Sequence, residues 1–110
     1  MSISALGSGL SGMQAFQTAL DSSANNVANM DTNGFQPQTV DFQNSAGGGV
    51  NVALSAPGTP QSASAANVPS GTDYATEAVN SMQYKFGFDM SAQVVKTADQ
   101  TLGTLINITA

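Results

Sequence analysis

The stretch that decides the fold is residues 3–27, ISALGSGLSGMQAFQTALDSSANNV. Apolar side chains recur in it at alternating steps of three and four residues, the heptad spacing of a helix that packs along one seam. The two seam positions hold Ile3, Leu10, Gln17 and Ala24, and Leu6, Met13, Leu20 and Val27. Only Gln17 among them is polar, so the pattern predicts a long N-terminal helix.

The opposite side of this helix carries small, uncharged residues, a composition that permits close approach of another helix. These residues are Ser4, Ser8, Ser11, Ala15 and Ala19. We expect this face to form a second contact surface, the alternative being an ordinary, weakly polar exposed face. Gly7, Gly9 and Gly12 each lower helix stability by about 1 kcal/mol relative to alanine. We therefore expect packing against a partner, rather than local propensity, to make this segment helical.

A second long helix is predicted to begin near Asp73. Ser70 or Thr72 could serve as its N-cap, while Asp73 and Glu77 place negative charge near its N-terminus. Its apolar stripe consists of Val79, Met82, Phe86, Met90, Val94, Ala98, Leu102 and Leu105. Most steps along the stripe are four residues, so it should wind around the helix rather than stay on one side.

The middle of the chain, residues 36–71, is rich in Gly, Ser, Ala and Pro. Two short runs, 39–43 and 50–54, flank a triple glycine and could form a β-hairpin, while residues 55–71 are typical of an extended linker. The predicted fold class is mainly α, with the two long helices forming an antiparallel coiled-coil-like pair. The predicted organisation is an N-terminal helix and Asn-rich turn over 1–35, a short middle segment over 36–71, and a C-terminal helix over 72–110.

Composition excludes several classes of function. Charged residues make up only 8% of the 110 residues, against about 25% in ordinary soluble domains, and the net charge is −5. Two lysines cannot supply the cationic patch that nucleic acid requires. The chain lacks histidine, cysteine, arginine and tryptophan, so we expect no enzyme, metal site, cofactor or small-molecule substrate. No membrane span or cleavable secretory signal is apparent, and we expect no membrane insertion.

Asparagines concentrate where the first helix should end. The motif comprises Asn25, Asn26, Asn29, Asn33, Gly34 and Phe35. Short amide side chains bond readily to the backbone, and Asn33-Gly34 is a strong turn dipeptide, so the motif predicts a helix stop followed by a turn. Several asparagines within one helical register also predict buried amides that fix the register between helices.

Three N-terminal runs, GLSGMQAFQ (9–17), ANNVAN (24–29) and NGF (33–35), resemble the signature of bacterial flagellar rod and hook axial proteins. Residues 73–83 and 94–105 resemble the C-terminal region of that family. Proximal basal-body rod proteins, whose middle domains are smallest, are the most similar. The short middle segment, and Gln36 where the family usually has a basic residue, are consistent with a short divergent paralogue.

The resemblance implies a structural subunit, exported without a cleaved signal through the flagellar type III apparatus, whose terminal helices are disordered until they assemble into a tube. Expected partners are copies of itself, other axial proteins, or both, in the periplasmic rod or an extracellular filament. The predicted helix-pair and polymer interface is Ile3, Leu6, Leu10, Met13, Leu20, Val27, Val79, Met82, Phe86, Val94, Leu102 and Leu105. The small face would contact neighbouring subunits. Alternatives are a non-polymerising adaptor or junction protein of the basal body, and the subunit of a separate homopolymeric filament.

Overall fold

A computed structural model of the protein describes residues 2–55 and 68–109. Its elements are α1 (Ser2–Ala28), β1 (Val40–Asn44), β2 (Val50–Leu54) and α2 (Tyr74–Thr109). The two helices pack antiparallel and the strands form a hairpin between them in sequence, which confirms the predicted fold class. The linker predicted over 55–71 falls largely on residues 56–67, which lie outside the described residues.

Glycines in α1 allow it to lie close to α2. A Cβ atom added to Gly9 would be 2.6 Å from Cγ2 of Val95, and one added to Gly12 would be 2.6 Å from Oγ of Ser91. Both distances are shorter than van der Waals contact, so a side chain at either position would force its neighbour on α2 to move. The glycine-rich first part of α1 has a weak intrinsic tendency to form a helix, and it is helical where it packs closely on α2.

The chain reverses direction after α1 through the predicted asparagine-rich turn. The side-chain amide of Asn29 donates to the backbone oxygen four residues earlier, at 2.9 Å, and Gly34 adopts a positive φ of 77°. The turn is then joined to the approach to α2, because Gly34 N–H donates to the Val68 carbonyl (2.7 Å) and Gly71 N–H donates to the Phe35 carbonyl (2.9 Å). These two bonds hold the end of α1 beside the start of α2.

Asp73 is the residue that caps α2. Its Oδ1 accepts a hydrogen bond from the Ala75 N–H at 3.1 Å, and its Oδ2 accepts one from the Thr76 hydroxyl at 3.0 Å. The prediction that Ser70 or Thr72 fills this role is wrong, since the Ser70 hydroxyl instead accepts the Thr72 N–H. A carboxylate one residue before the helix satisfies a free N–H group and also interacts favourably with the helix dipole.

The hairpin pairs Val40 with Leu54 at its base and closes through Gly48 and Gly49, both with positive φ. Its first strand lies one residue later than predicted. Both strands contact α1, β2 more extensively than β1, and the Val50 N–H donates to Oγ of Ser11 at 3.1 Å. An outward-facing strand amide is thereby satisfied by a side chain of the helix.

The centre of the molecule is built from small side chains. The buried apolar residues of the described part are Ala15, Ala19 and Ala98. Larger side chains are accommodated around this seam: the Phe16 ring lies over Gly87, where a Cβ atom would collide with it. Phe42 of the hairpin packs on Phe16 with ring centroids 5.0 Å apart, and Tyr84 lies 5.8 Å from Phe42. An aromatic cluster therefore joins the hairpin to both helices.

Candidate functional site

The small face of α1 is partly buried within the chain. Ala15 and Ala19 of the small face are buried within the molecule rather than left for neighbouring subunits, and Ser11 contacts the hairpin. Ser4 and Ser8, at the far end of this face, are exposed. Small side chains allow the helix axes to approach more closely than a leucine-rich seam would, which explains why this face forms the intramolecular contact.

The predicted bulky seam of α1 lies outside the centre of the helix pair. Ile3 is 79% exposed and Leu10 is 52% exposed. The other members are only half-buried: Leu6, Met13, Leu20 and Val27. The interface role predicted for this seam stays a prediction, and within one chain Ile3 and Leu10 are available on the surface.

The apolar stripe of α2 winds around the helix, as its four-residue steps predicted. Each such step turns by about 40°, so the stripe starts on the side away from α1 and reaches the helix contact at Ala98, which is buried. Met82 and Phe86 are 65% and 67% exposed. The stripe's other exposed members are Val79, Met90, Val94 and Leu105, whereas Leu102 is half-buried. The interface role predicted for these residues likewise stays a prediction.

Two grooves run beside these exposed side chains. The larger, about 550 Å³, is lined by Ala5, Met90, Gln93, Val94, Thr97, Ala98 and Thr101. The smaller, about 360 Å³, is lined by Leu10, Met13, Gln14, Gln17, Thr18 and Phe88. Every residue that lines these two grooves is uncharged. The two helices leave several large apolar side chains exposed within one chain, and we name this set the outer apolar face: Ile3 and Leu10 of α1, and Val79, Met82, Phe86, Met90 and Val94 of α2.

A polar cluster occupies the other end of the pair, where α1 ends and α2 begins. Its centre is Glu77, only 7% exposed. The Ser23 hydroxyl donates to Oε2 of Glu77 at 2.8 Å, and the Asn26 side-chain amide donates to Oε1 at 3.0 Å. Glu77 was expected to act through the helix dipole together with Asp73. It instead faces α1 from the first turn of α2 and receives hydrogen bonds from it.

Asn26 connects three parts of the chain and is 1% exposed. Besides its bond to Glu77, its amide donates to the Gln38 carbonyl (2.9 Å) and its Oδ1 accepts the Gln38 N–H (2.8 Å). The prediction of a buried amide between helices is thus confirmed for Asn26. Asn25 is exposed and Asn29 bonds locally to it, so these two terminate the helix instead.

The cluster continues at its edges through further side chains. The Ser22 hydroxyl donates to Oε1 of Gln38 at 3.0 Å, and the hydroxyls of Ser23 and Ser81 lie 2.8 Å apart. A pocket of about 240 Å³ opens beside them towards Tyr84. Burial raises the pKa of the Tyr84 hydroxyl, and the nearby Glu77 carboxylate raises it further. Sequence reasoning missed Glu77 because nothing in its local context shows which side of α2 meets α1.

Neither a catalytic constellation nor a metal site is formed within residues 2–55 and 68–109. No group of three or more His, Cys, Asp or Glu side chains that could hold a metal ion occurs there. Within the same ranges, neither helix combines the length and hydropathy required to cross a membrane. The most distinctive property of the described surface is the number of large apolar side chains exposed on it.

Two protein-family models match the chain, one at each end. The model described as flagella basal body rod protein matches residues 6–36. The model described as flagellar basal body rod FlgEFG protein, C-terminal, matches residues 69–108. No curated protein matches the chain. The matched regions contain most of α1 with its turn, and nearly all of α2, so they include the polar cluster except Gln38 and the outer apolar face except Ile3.

Proposed function

This chain belongs to the flagellar basal body rod and hook family, and from that premise we propose that it is a subunit of a rod-like tube. In this proposal the outer apolar face joins the helix pair of one subunit to those of its neighbours. The role is structural, as in the families that the two models describe. The neighbours are copies of the chain, other axial proteins, or both, located in the basal-body rod or an extracellular filament. Export through the flagellar type III apparatus without a cleaved signal is part of the same proposal.

The observation that carries the proposal is the placement of large and small side chains. The helix contact inside the chain uses alanine, glycine and serine, whereas methionine, phenylalanine, leucine and isoleucine side chains point outward. Large apolar side chains left exposed in such number on a monomer are typical of surfaces that another protein covers. Few charged residues lie among them, so neighbouring subunits can cover the surface without burying unpaired charges.

The test is to place a charge at the centre of this surface. We expect Phe86→Asp to abolish assembly of the purified protein, because the carboxylate would be buried without a partner. The matched control is Asn51→Asp, which adds the same charge at an exposed position of the hairpin, outside the outer apolar face. Sedimentation velocity and negative-stain electron microscopy measure assembly, and circular dichroism checks that both variants keep their helices.

Normal tubes from the Phe86→Asp protein would contradict the proposed interface. If even the unsubstituted chain remains monomeric with fully formed helices, self-assembly is contradicted. Its copy number in purified basal bodies then distinguishes the remaining roles: a few copies at one junction indicate an adaptor, and many copies indicate a rod subunit that assembles with other axial proteins.

A further inference from the structure

We propose that Glu77 is a specificity-determining residue, through which α2 accepts only an α1 helix that offers a hydroxyl and a carboxamide at the positions of Ser23 and Asn26. The selection acts on both the identity and the register of the paired helix. It matters for the proposed function because a polymer presents α2 with other helices. The interactions themselves lie within one chain, so they can be tested without assembly.

The seam of small residues cannot provide this selection. Alanine and glycine side chains offer no directional bonds, and a slip of one turn moves α1 by about 6 Å along α2. Such a slip would replace one small residue by another at several points of contact. Packing of this kind fixes how close two helices lie but discriminates weakly between registers.

Glu77 supplies the discrimination because its carboxylate is buried and its partners come from α1. A slip of one turn would place Asn26 opposite Asp73 or Ser81 instead. The carboxylate of Glu77 would then lose the donors at Oε1 and Oε2. A buried charge without partners is strongly unfavourable.

No basic residue of the described chain can replace those donors. Lys85 pairs with Asp89 at 3.2 Å on the exposed side of α2. Lys96 lies nineteen residues beyond Glu77, roughly 28 Å along the same helix. The hydrogen bonds that stabilise the buried Glu77 carboxylate therefore have to come from α1.

A second contact requires the same register. Phe16 lies over Gly87, the one position there without a side chain to collide with its ring. Phe16 precedes Asn26 by ten residues, and Gly87 follows Glu77 by ten, so in an antiparallel pair both contacts form together. A slip of α1 along α2 would therefore disrupt both the packing of Phe16 on Gly87 and the hydrogen bonds to Glu77.

Register can be measured with disulfide reporters because the chain contains no cysteine. Gly12→Cys with Ser91→Cys reports the observed register, since a Cβ atom on Gly12 would lie 3.3 Å from Cβ of Ser91, close to disulfide geometry. Gly12→Cys with Val95→Cys reports a slip of one turn. The rates of oxidation are compared in dilute, unassembled protein, with helicity followed by circular dichroism.

The decisive variants exchange the side-chain amide of Asn26 and the carboxylate of Glu77 between the two helices. In the unsubstituted background we expect the first reporter to close at least tenfold faster than the second. Asn26→Asp places two carboxylates together and should bring this ratio close to one. Adding Glu77→Gln restores an amide–carboxylate pair and should recover most of the ratio. Asn25→Asp, at the exposed neighbouring position, should leave it unchanged.

An unchanged ratio in Asn26→Asp, or a double variant no better than that single variant, would overturn the proposal. If Asn26→Asp does not fold, Ser23→Ala is used with the same reporters, and it should lower the ratio at least threefold by removing one donor. An unchanged ratio there would also overturn the proposal. Loss of tubes in the Phe86→Asp test has no bearing on these ratios, so failure of the proposed function is distinguishable from failure of the selection.

Discussion

At the scale of the residue, glycines of equal helix propensity have opposite consequences in this protein. Gly87 lies under the Phe16 ring, whereas nothing lies within 4 Å of the position that a Cβ atom on Gly7 would take. Both weaken their helices by exposing backbone and by increasing the entropy of the unfolded chain. Of the two, only Gly87 also has a stabilising effect, because its missing side chain leaves room for the Phe16 ring between the helices.

Alanine substitution should therefore give changes of opposite sign at these two sites. We expect Gly7→Ala to raise the free energy of unfolding by about 0.5–1 kcal/mol through helix propensity. Gly87→Ala should lower it by about 1–2 kcal/mol, since overpacking outweighs the same gain in propensity. Urea titration followed by circular dichroism measures both values. Equal stabilisation by the two substitutions would show that the Phe16 ring moves aside without strain.

At the scale of the element, the hairpin depends on its contacts with the helices. A two-stranded hairpin is at best marginally stable alone in water. Here Phe42 packs between Phe16 and Tyr84, and the Val50 N–H binds Ser11. Alternate residues of the strand, Asp41 and Gln43, face the solvent side, so the hairpin is held through one face only.

Removal of the aromatic anchor should release the hairpin while the helix pair persists. We expect Phe42→Ala to lower the free energy of unfolding by about 1–2 kcal/mol, less than the 3–5 kcal/mol typical of a fully buried phenylalanine, because the ring is partly exposed. Hydrogen exchange should accelerate at least tenfold at backbone amides of β1 and β2 and change little in α1. Gln43→Ala is the control, and equal exchange rates in the two variants would contradict anchoring by Phe42.

At the scale of the whole molecule, the buried apolar side chains of the described part are small, whereas many of the large ones are exposed. The buried apolar residues of the described part are three alanines, while Phe86, Met82 and Ile3 are more than half exposed. A small domain with so little apolar burial has a low expected stability. Contacts between subunits would bury the larger side chains and add the missing stabilisation.

Stability should consequently rise with protein concentration. We expect the melting temperature of the unsubstituted chain to increase across a hundredfold range of concentration, because association stabilises the folded state by mass action. Phe86→Asp should match it at the lowest concentration and show no such increase. Differential scanning calorimetry over that range measures both. A melting temperature independent of concentration, in protein shown to assemble, would indicate that the helix pair is stable without its neighbours.

The sequence by itself determined the two helices, the hairpin, the winding of the α2 stripe and the buried role of an asparagine near the end of α1. These follow from local signals: residue spacing, turn dipeptides and the absence of charge. Only the tertiary structure decided which face of α1 meets α2, and that Glu77 is buried against α1 and bonded to it. The reason is physical. A helix with a bulky and a small face can pack through either, and the choice depends on how closely the two backbones approach, which glycines on both helices set jointly.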